Sequence, residues 1–494
     1  MTARQEVHST QSRTEHAPTA VAFFWIILIA CLLFAIRFCS PDNLMDNDQQ
    51  RPAAYALDAM VNGNWVVQRD DTGDVMSKPP FSTWLTALSA KAFGGLTRFS
   101  LYLPSFLASL FIALLILAGG TRYFGRAVGW WSALFYLFSP VFDHQILLNR
   151  SDPVFAAMVF AGALTAFTAL RLRKSWIPFW LLMVCATLTK GPLALILAGG
   201  GLFVIFWDKS LDRRVLFAKS QWLGLLIYVV LGLGWFFAAY MELGQPLIDK
   251  MIGKELVGHA VGKGAIGAKF YQPLIFFMVL LLPWSFFAIG GMIQTFRNPH
   301  ENAESKSFQR FLVLCLLVSL TLFGLATHHR DVHLYPIIPM AAILAGCFWV
   351  RVTHQINSKK LQVGFALVCF ILLAFLNVQR FTDALKNKSV IETAQVREIA
   401  QELKRFGFPE RGIIHHNTPF AIQFNWGTMQ MRVTQEQAAA ALEADSPSFV
   451  LTREPSVFTT LVADPANRVV LRQWPLAQHK GLYLLSNQPV LDLP

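Results

Sequence analysis

No charged side chain interrupts residues Ala20 to Ile36, and apolar stretches of this kind recur along the whole chain. A helix that crosses hydrocarbon needs roughly 17–25 mostly apolar residues. It must also satisfy every backbone polar group internally. Eleven candidate spans meet this description, near 20–38, 100–120, 127–143, 153–170, 175–189, 191–207, 221–240, 272–293, 311–327, 334–350 and 361–378. So many spans leave an all-α polytopic membrane protein as the expected fold. Composition agrees: 54% of residues are hydrophobic and 15% charged, against about 25% charged in ordinary soluble domains. The first run exceeds the ~7–15 residues of a signal-peptide core, so it is expected to remain as a span.

The net charge of +12 comes largely from short connections between apolar runs. RYFGR (122–126), RLRK (171–174), DKSLDRRVLFAKS (208–219), FRNPHENAESKSFQR (296–310) and RVTHQINSKK (351–360) fall on alternate loops. Such a bias sets orientation in a membrane. It predicts a cytoplasmic N-terminal tail (1–19), an outward C-terminal tail, and no nucleic-acid partner. Cysteines 31, 39, 185, 315, 347 and 369 lie in or beside apolar runs, which implies no disulfide framework.

With that orientation, the unusual polar features gather on the outer face. They occupy the loops 39–99 and 241–271, NRSD (149–152), TKGP (189–192) and HHRDVH (328–333). Lys78 precedes two prolines, which disfavour helix at the lysine, and a helix is expected from about Phe81. Lys190 stands between two apolar runs. An ammonium and a helix start aimed at one point suit a phosphate, although a lone lysine at such a place could simply snorkel to the interface. Arg150 and Arg330 are further anion ligands, Arg330 through a bidentate guanidinium. Asp152, before Pro153, is either a functional carboxylate or a helix N-cap. Asp48 is a candidate general base, with Arg51 beside it at the start of a helix over 52–63 that ends at Gly63. Asp70, Asp71 and Asp74 are expected to form a solvated acidic loop. Glu255, His259, Lys263 and Lys269 are candidates in the glycine-rich loop 241–271.

The tail has a different texture. Residues 389–408 carry apolar positions at helical spacing, and 435–444 is a second helix candidate. Residues 412–416, 448–452, 468–474 and 481–486 read as short strands. Residues 379–494 are therefore expected to be a small extramembrane α/β domain.

These residues together make about 20–350 resemble the polyprenyl-phosphate-dependent glycosyltransferases of the GT-C superfamily. The likeness is to the bacterial branch with the aminoarabinose transferase of lipid A and the protein O-mannosyltransferases. That family's first outer loop typically carries Asp-Glu-x-Arg, then Gly-x-Trp, then Lys-Pro-Pro. Asp48, Arg51, Gly63, Trp65, Lys78, Pro79 and Pro80 fall in that register. Asp152, Lys190-Gly191-Pro192, Leu282-Pro283-Trp284 and Tyr335-Pro336 match later landmarks. The resemblance implies residues 20–378 as a transmembrane catalytic domain in a bacterial inner membrane, with 379–494 periplasmic. It implies inverting transfer of a sugar from a polyprenyl-phosphate donor, undecaprenyl phosphate in a bacterium, to a lipid, glycan or protein acceptor. Asp48 and Asp152 would be catalytic. Arg51, Lys78, Arg150, Lys190, Arg330, Tyr335, Glu255 and His259 would bind substrate. The family's second acidic position is Gln49 here, and Ser77 replaces the acid that often precedes Lys-Pro-Pro. A divalent cation (Mg2+, Mn2+ or Zn2+) is therefore not assigned. A transporter or flippase of lipid-linked sugars is the rival, but transporters tend to carry internal repeats and mid-membrane charges, and no repeat is visible.

Overall fold

The computed structural model describes residues 19–257, 267, 269–353, 358–408, 412–455 and 469–487. Among these, seven helices are long and apolar enough to cross a membrane: Ala20–Phe38, Arg98–Phe124, Ser151–Leu172, Lys219–Leu243, Ala303–Leu325, Asp331–Thr353 and Val363–Lys386. An eighth is the pair Gln272–Leu280 and Ser285–Arg297, bent by 114°. The count falls below the eleven apolar runs for local reasons. Ile177–Lys190 and Ala194–Trp207 are shorter apolar helices, separated where Gly191 takes a positive φ of 97° and Pro192 cannot continue the helix. The run 127–143 breaks into Arg126–Leu137 and Pro140–Gln145, with Ser139 capping the second piece.

The chain divides into two compact units. The first comprises Met1–Cys39, Ser77–Ser82 and Pro104–Leu376; the second comprises Ser40–Met76, Thr83–Leu103 and Asn377–Pro494. The loop before Lys78 thus groups with the tail rather than with the bundle of spans.

Small residues let helices of the first unit approach closely, as membrane helix pairs require. A Cβ at Gly346 would strike Ser132 Oγ, where Ile338–Thr353 meets Arg126–Leu137. A Cβ at Gly291 would strike the Leu344 carbonyl, where the same helix meets Ser285–Arg297. Aromatic side chains fill the space beside these crossings. Trp284, at the bend of the broken span, stacks on Phe135 with ring centroids 4.8 Å apart. Its Nε1 donates to the Phe138 carbonyl at 3.0 Å.

In the second unit, β1 (Ile413–His416), β2 (Phe449–Thr452), β3 (Val469–Trp474) and β4 (Leu482–Ser486) form one sheet of order β1-β2-β4-β3. β1 and β2 are parallel; the other two pairings are antiparallel. Helix Gln435–Glu443 starts with a reciprocal Thr434–Gln437 cap and packs Ala438, Ala439 and Leu442 on Val450 and Leu485. Helix Lys388–Arg405 is fixed by Glu392, whose fully buried carboxylate accepts from Arg453 at 3.0 Å and from the Gln478 backbone at 2.9 Å.

The acidic loop belongs to this same unit, and it is not the solvated loop expected from its composition. Asp70 and Asp71 are 3% and 4% exposed. Asp70 accepts from the backbone N–H of Thr72 and Asp74, both at 3.0 Å. Asp71 pairs with Arg432 Nε at 2.6 Å. Burial pushes the Asp71 carboxyl up, against the pull of Arg432. These carboxylates tie the loop to itself and to the tail, through partners hundreds of residues away that local composition cannot reveal.

Candidate active site

Ser151–Leu172 starts from Arg150, whose extended backbone (φ −135°, ψ 153°) forms the N-cap without a side-chain capping bond. Asp152 therefore lies inside the first turn and is no cap. Its carboxylate, 3% exposed, has cationic partners instead. Lys190 Nζ donates to Oδ1, and Arg150 Nε lies 3.4 Å from Oδ2. Lys190 is the last residue of Ile177–Lys190, so the turn at Gly191 that ends the helix also sets where the ammonium emerges. The Lys190 and Arg150 side chains are 18% and 15% exposed. The Lys190 ammonium also lies 5.8 Å from the centroid of the Phe155 ring.

A third cation joins from far away in sequence: the charge of Lys78 acts on Asp152 beside those of Lys190 and Arg150. Pro79 and Pro80 are buried while Lys78 is exposed, and the helix expected after them runs Phe81–Ala92. Arg330 reaches the same neighbourhood. His333, stacked on Phe323 at 5.6 Å, senses Lys190, Asp152, His328 and Arg330 together. His144 senses Arg37, Asp331, Arg150 and Asp152. The first unit thus gathers Arg37, Lys78, Arg150, Lys190 and Arg330 around Asp152 and Asp331, an excess of cations suited to an anion. Arg37 and His144 carry no motif that marks them in the sequence. Arg37 stands only as a lone charge in the last turn of the first span.

Tyr335 is fully buried. Its hydroxyl meets Tyr136 Oη at 2.6 Å and Ser109 Oγ at 3.0 Å, so it fixes the start of its span against two neighbouring helices. Asp48 and Arg51 lie in the second unit. Asp48 is exposed in the first turn of Asn47–Leu57. Arg51 faces Asp70 at 3.7 Å and Asp74 at 3.9 Å. The helix continues as Asp58–Asn62 and ends at Gly63, φ 79°, where the sequence puts its stop. Glu255 lies on the segment Ile248–Val257, whereas His259 and Lys263 lie outside the described residues. Among the described residues, no group of three or more His, Cys, Asp or Glu comes together to hold a metal ion. The one buried carboxylate at the cluster is already committed to cations.

The family described as dolichyl-phosphate-mannose-protein mannosyltransferase matches residues 77–235, which include Lys78, Arg150, Asp152 and Lys190. An undecaprenyl phosphate-α-4-amino-4-deoxy-L-arabinose arabinosyl transferase of Shewanella sediminis is 24% identical over 364 residues, covering 70% of this chain and 63% of that protein. An uncharacterized protein of Aquifex aeolicus is also 24% identical, over 70% of this chain and 78% of its own length. The crystal structure of ArnT from Cupriavidus metallidurans bound to undecaprenyl phosphate is similar to 96% of this chain and all of that one. Its TM-score is 0.71 at 17% identity. The apo form of the same protein matches over the same extents at 0.67. In fold the chain is similar to the ArnT structures, and its residues 77–235 match the dolichyl-phosphate-mannose-protein mannosyltransferase family.

Proposed function

We propose that the chain moves a sugar from a polyprenyl-phosphate donor to a lipid, glycan or protein acceptor on the outer face of a bacterial inner membrane. The observation that carries this is the meeting of Lys78, Arg150 and Lys190 at the buried Asp152. These cations arise from three separate stretches of a membrane bundle, and a phosphate fixed to a lipid has to be met at such a place. The ArnT neighbour bound to undecaprenyl phosphate supports the same class of donor.

In this reading Lys78, Lys190 and Arg330 hold the donor phosphate. Asp152 keeps Lys190 and Arg150 in position without cancelling the whole positive charge. The acceptor hydroxyl oxygen attacks the anomeric carbon, and the bond from that carbon to the phosphate oxygen breaks. The electron pair leaves with the phosphate, whose growing charge the cations stabilise. Asp48 takes the hydroxyl proton. Attack opposite the leaving phosphate inverts the anomeric centre. Arg51 supports the Asp48 end of the first loop, Tyr335 braces the cluster from beneath, and Glu255 and His259 serve the acceptor. The basic connections keep the N-terminus cytoplasmic, so residues 379–494 are periplasmic.

The test is sugar transfer from a synthetic polyprenyl-phosphate donor by purified Asp48→Asn protein. Asp48 is exposed and near a helix start, so the variant folds. Its turnover should fall about 10²–10⁴-fold, with donor affinity kept within about threefold. Full turnover by Asp48→Asn would remove the proposed base.

A further inference from the structure

A cavity of about 440 Å³ with a mixed polar and apolar lining lies within the first unit. It stands at the other end of the spans from Asp152. Ser105 Oγ donates to the Leu148 carbonyl at 2.6 Å, near Arg150 and Asp152. Phe124, on the cavity wall, closes that same helix, about 28 Å further along at ~1.5 Å per residue. Tyr335 and Arg351 mark the two ends of another span in the same way. The cavity therefore sits where one leaflet's headgroups stand while the Asp152 cluster faces the other leaflet.

Its chemistry has two ends. Gln309 is 1% exposed, and its Oε1 has no hydrogen-bond partner among the described residues; Gln294 Oε1 is in the same condition. With the Glu301 carboxylate, these atoms call for a donor carrying several N–H groups and a positive charge. The opposite requirement stands beside them. Arg351 is anchored by its Nη1 donating to the Asn298 carbonyl at 2.8 Å, and the His300 ring leans on Phe124 at 5.7 Å. Both suit a phosphate. Val128 and Cys347 make the inner wall apolar.

We propose that this cavity binds the headgroup of phosphatidylethanolamine. Gln309, Gln294 and Glu301 receive the primary ammonium, and Arg351 and His300 face the phosphate. A choline headgroup has no N–H to give the glutamines, and a glycerol headgroup has no charge to give Glu301. The site is independent of the donor site and would stand if the assignment of the donor failed.

The test is native mass spectrometry of the full-length protein from nanodiscs of equimolar dioleoyl phosphatidylethanolamine, phosphatidylglycerol and phosphatidylcholine. The ethanolamine lipid should be retained over both others by about fivefold or more, the ratio set by one charge-assisted hydrogen bond. Gln309→Leu and Glu301→Gln should each erase most of that preference. Glu301 is exposed, so its variant remains informative if the buried substitution fails to fold. Equal retention of the three lipids, or a preference unchanged in Glu301→Gln, overturns the proposal. Binding of free phosphoethanolamine with no enrichment of the lipid overturns the lipid as its source.

Discussion

Lys190→Ala separates two roles that the cluster combines. In the native protein the 3%-exposed Asp152 carboxylate has Lys190 as a hydrogen-bonded partner and Arg150 at 3.4 Å. Unit charges about 3.4 Å apart attract by about 5 kcal/mol at an effective dielectric near 20, and desolvating the carboxylate costs several kcal/mol. Lys190 and Arg150 together outweigh that cost, whereas Arg150 with the exposed and solvent-screened Lys78 roughly balances it. Losing Lys190 should therefore destabilise the fold by about 3–5 kcal/mol. The double variant Asp152→Leu with Lys190→Met removes the buried charge and its partner together. It should recover all but about 1–2 kcal/mol. Transfer behaves differently if Lys190 also grips the donor phosphate. The double variant then regains stability while turnover stays about 10²–10³-fold down. Denaturant unfolding in detergent micelles reads the first quantity, and transfer from a synthetic polyprenyl-phosphate donor reads the second. A Lys190→Ala protein that loses less than about 1 kcal/mol would refute the electrostatic account. A double variant that regains transfer along with stability would reduce the pair to a structural staple.

Two further predictions concern the scaffold. Gly346→Ala puts a methyl group against Ser132 Oγ and the Val128 carbonyl and should cost about 1–3 kcal/mol by overpacking. Gly364→Ala, with nothing within 4 Å of the added carbon, should leave the thermal midpoint unchanged; equal behaviour of the two would deny the tight crossing. In the tail, burial holds the His415 imidazole down to about 4 from 6.5. The unfolded chain therefore binds the extra proton between those values, and stability falls as pH drops through them. The loss totals about 3 kcal/mol by pH 4. The protection factor over Ile413–His416, with the intrinsic pH dependence of amide exchange divided out, should fall accordingly between pH 7 and 4.5, and His415→Asn should flatten the change. A protection factor that stays constant across this range in the native protein would count against a neutral buried His415.

The sequence made the spans, the four strands and the lysines legible for one reason: each is a local departure from what its surroundings favour. A charge between apolar runs is conspicuous wherever its partner lies, and so Lys78 and Lys190 stand out before any contact is known. Asp152 was ambiguous because the position before Pro153 suits a cap as well as a site. The answer lies 38 residues away, in the bond from Lys190. Asp71 shows the opposite failure: its place in an acidic, turn-rich loop predicts solvation, but Arg432 buries it from the far end of the chain. Helix Phe420–Trp426 was missed for a related reason. Its side chains are nearly all buried, so it has no polar face from which a period could be read. The eleven apolar runs outnumber the long helices among the described residues where helices stop for backbone reasons, at Gly191 and before Pro140, inside stretches whose composition does not change. Composition thus reports the medium a segment can enter, and partners decide what a charged group does there. A buried carboxylate in such a chain is best interrogated by removing its cation first. Only that substitution exposes the desolvation that the ion pair conceals.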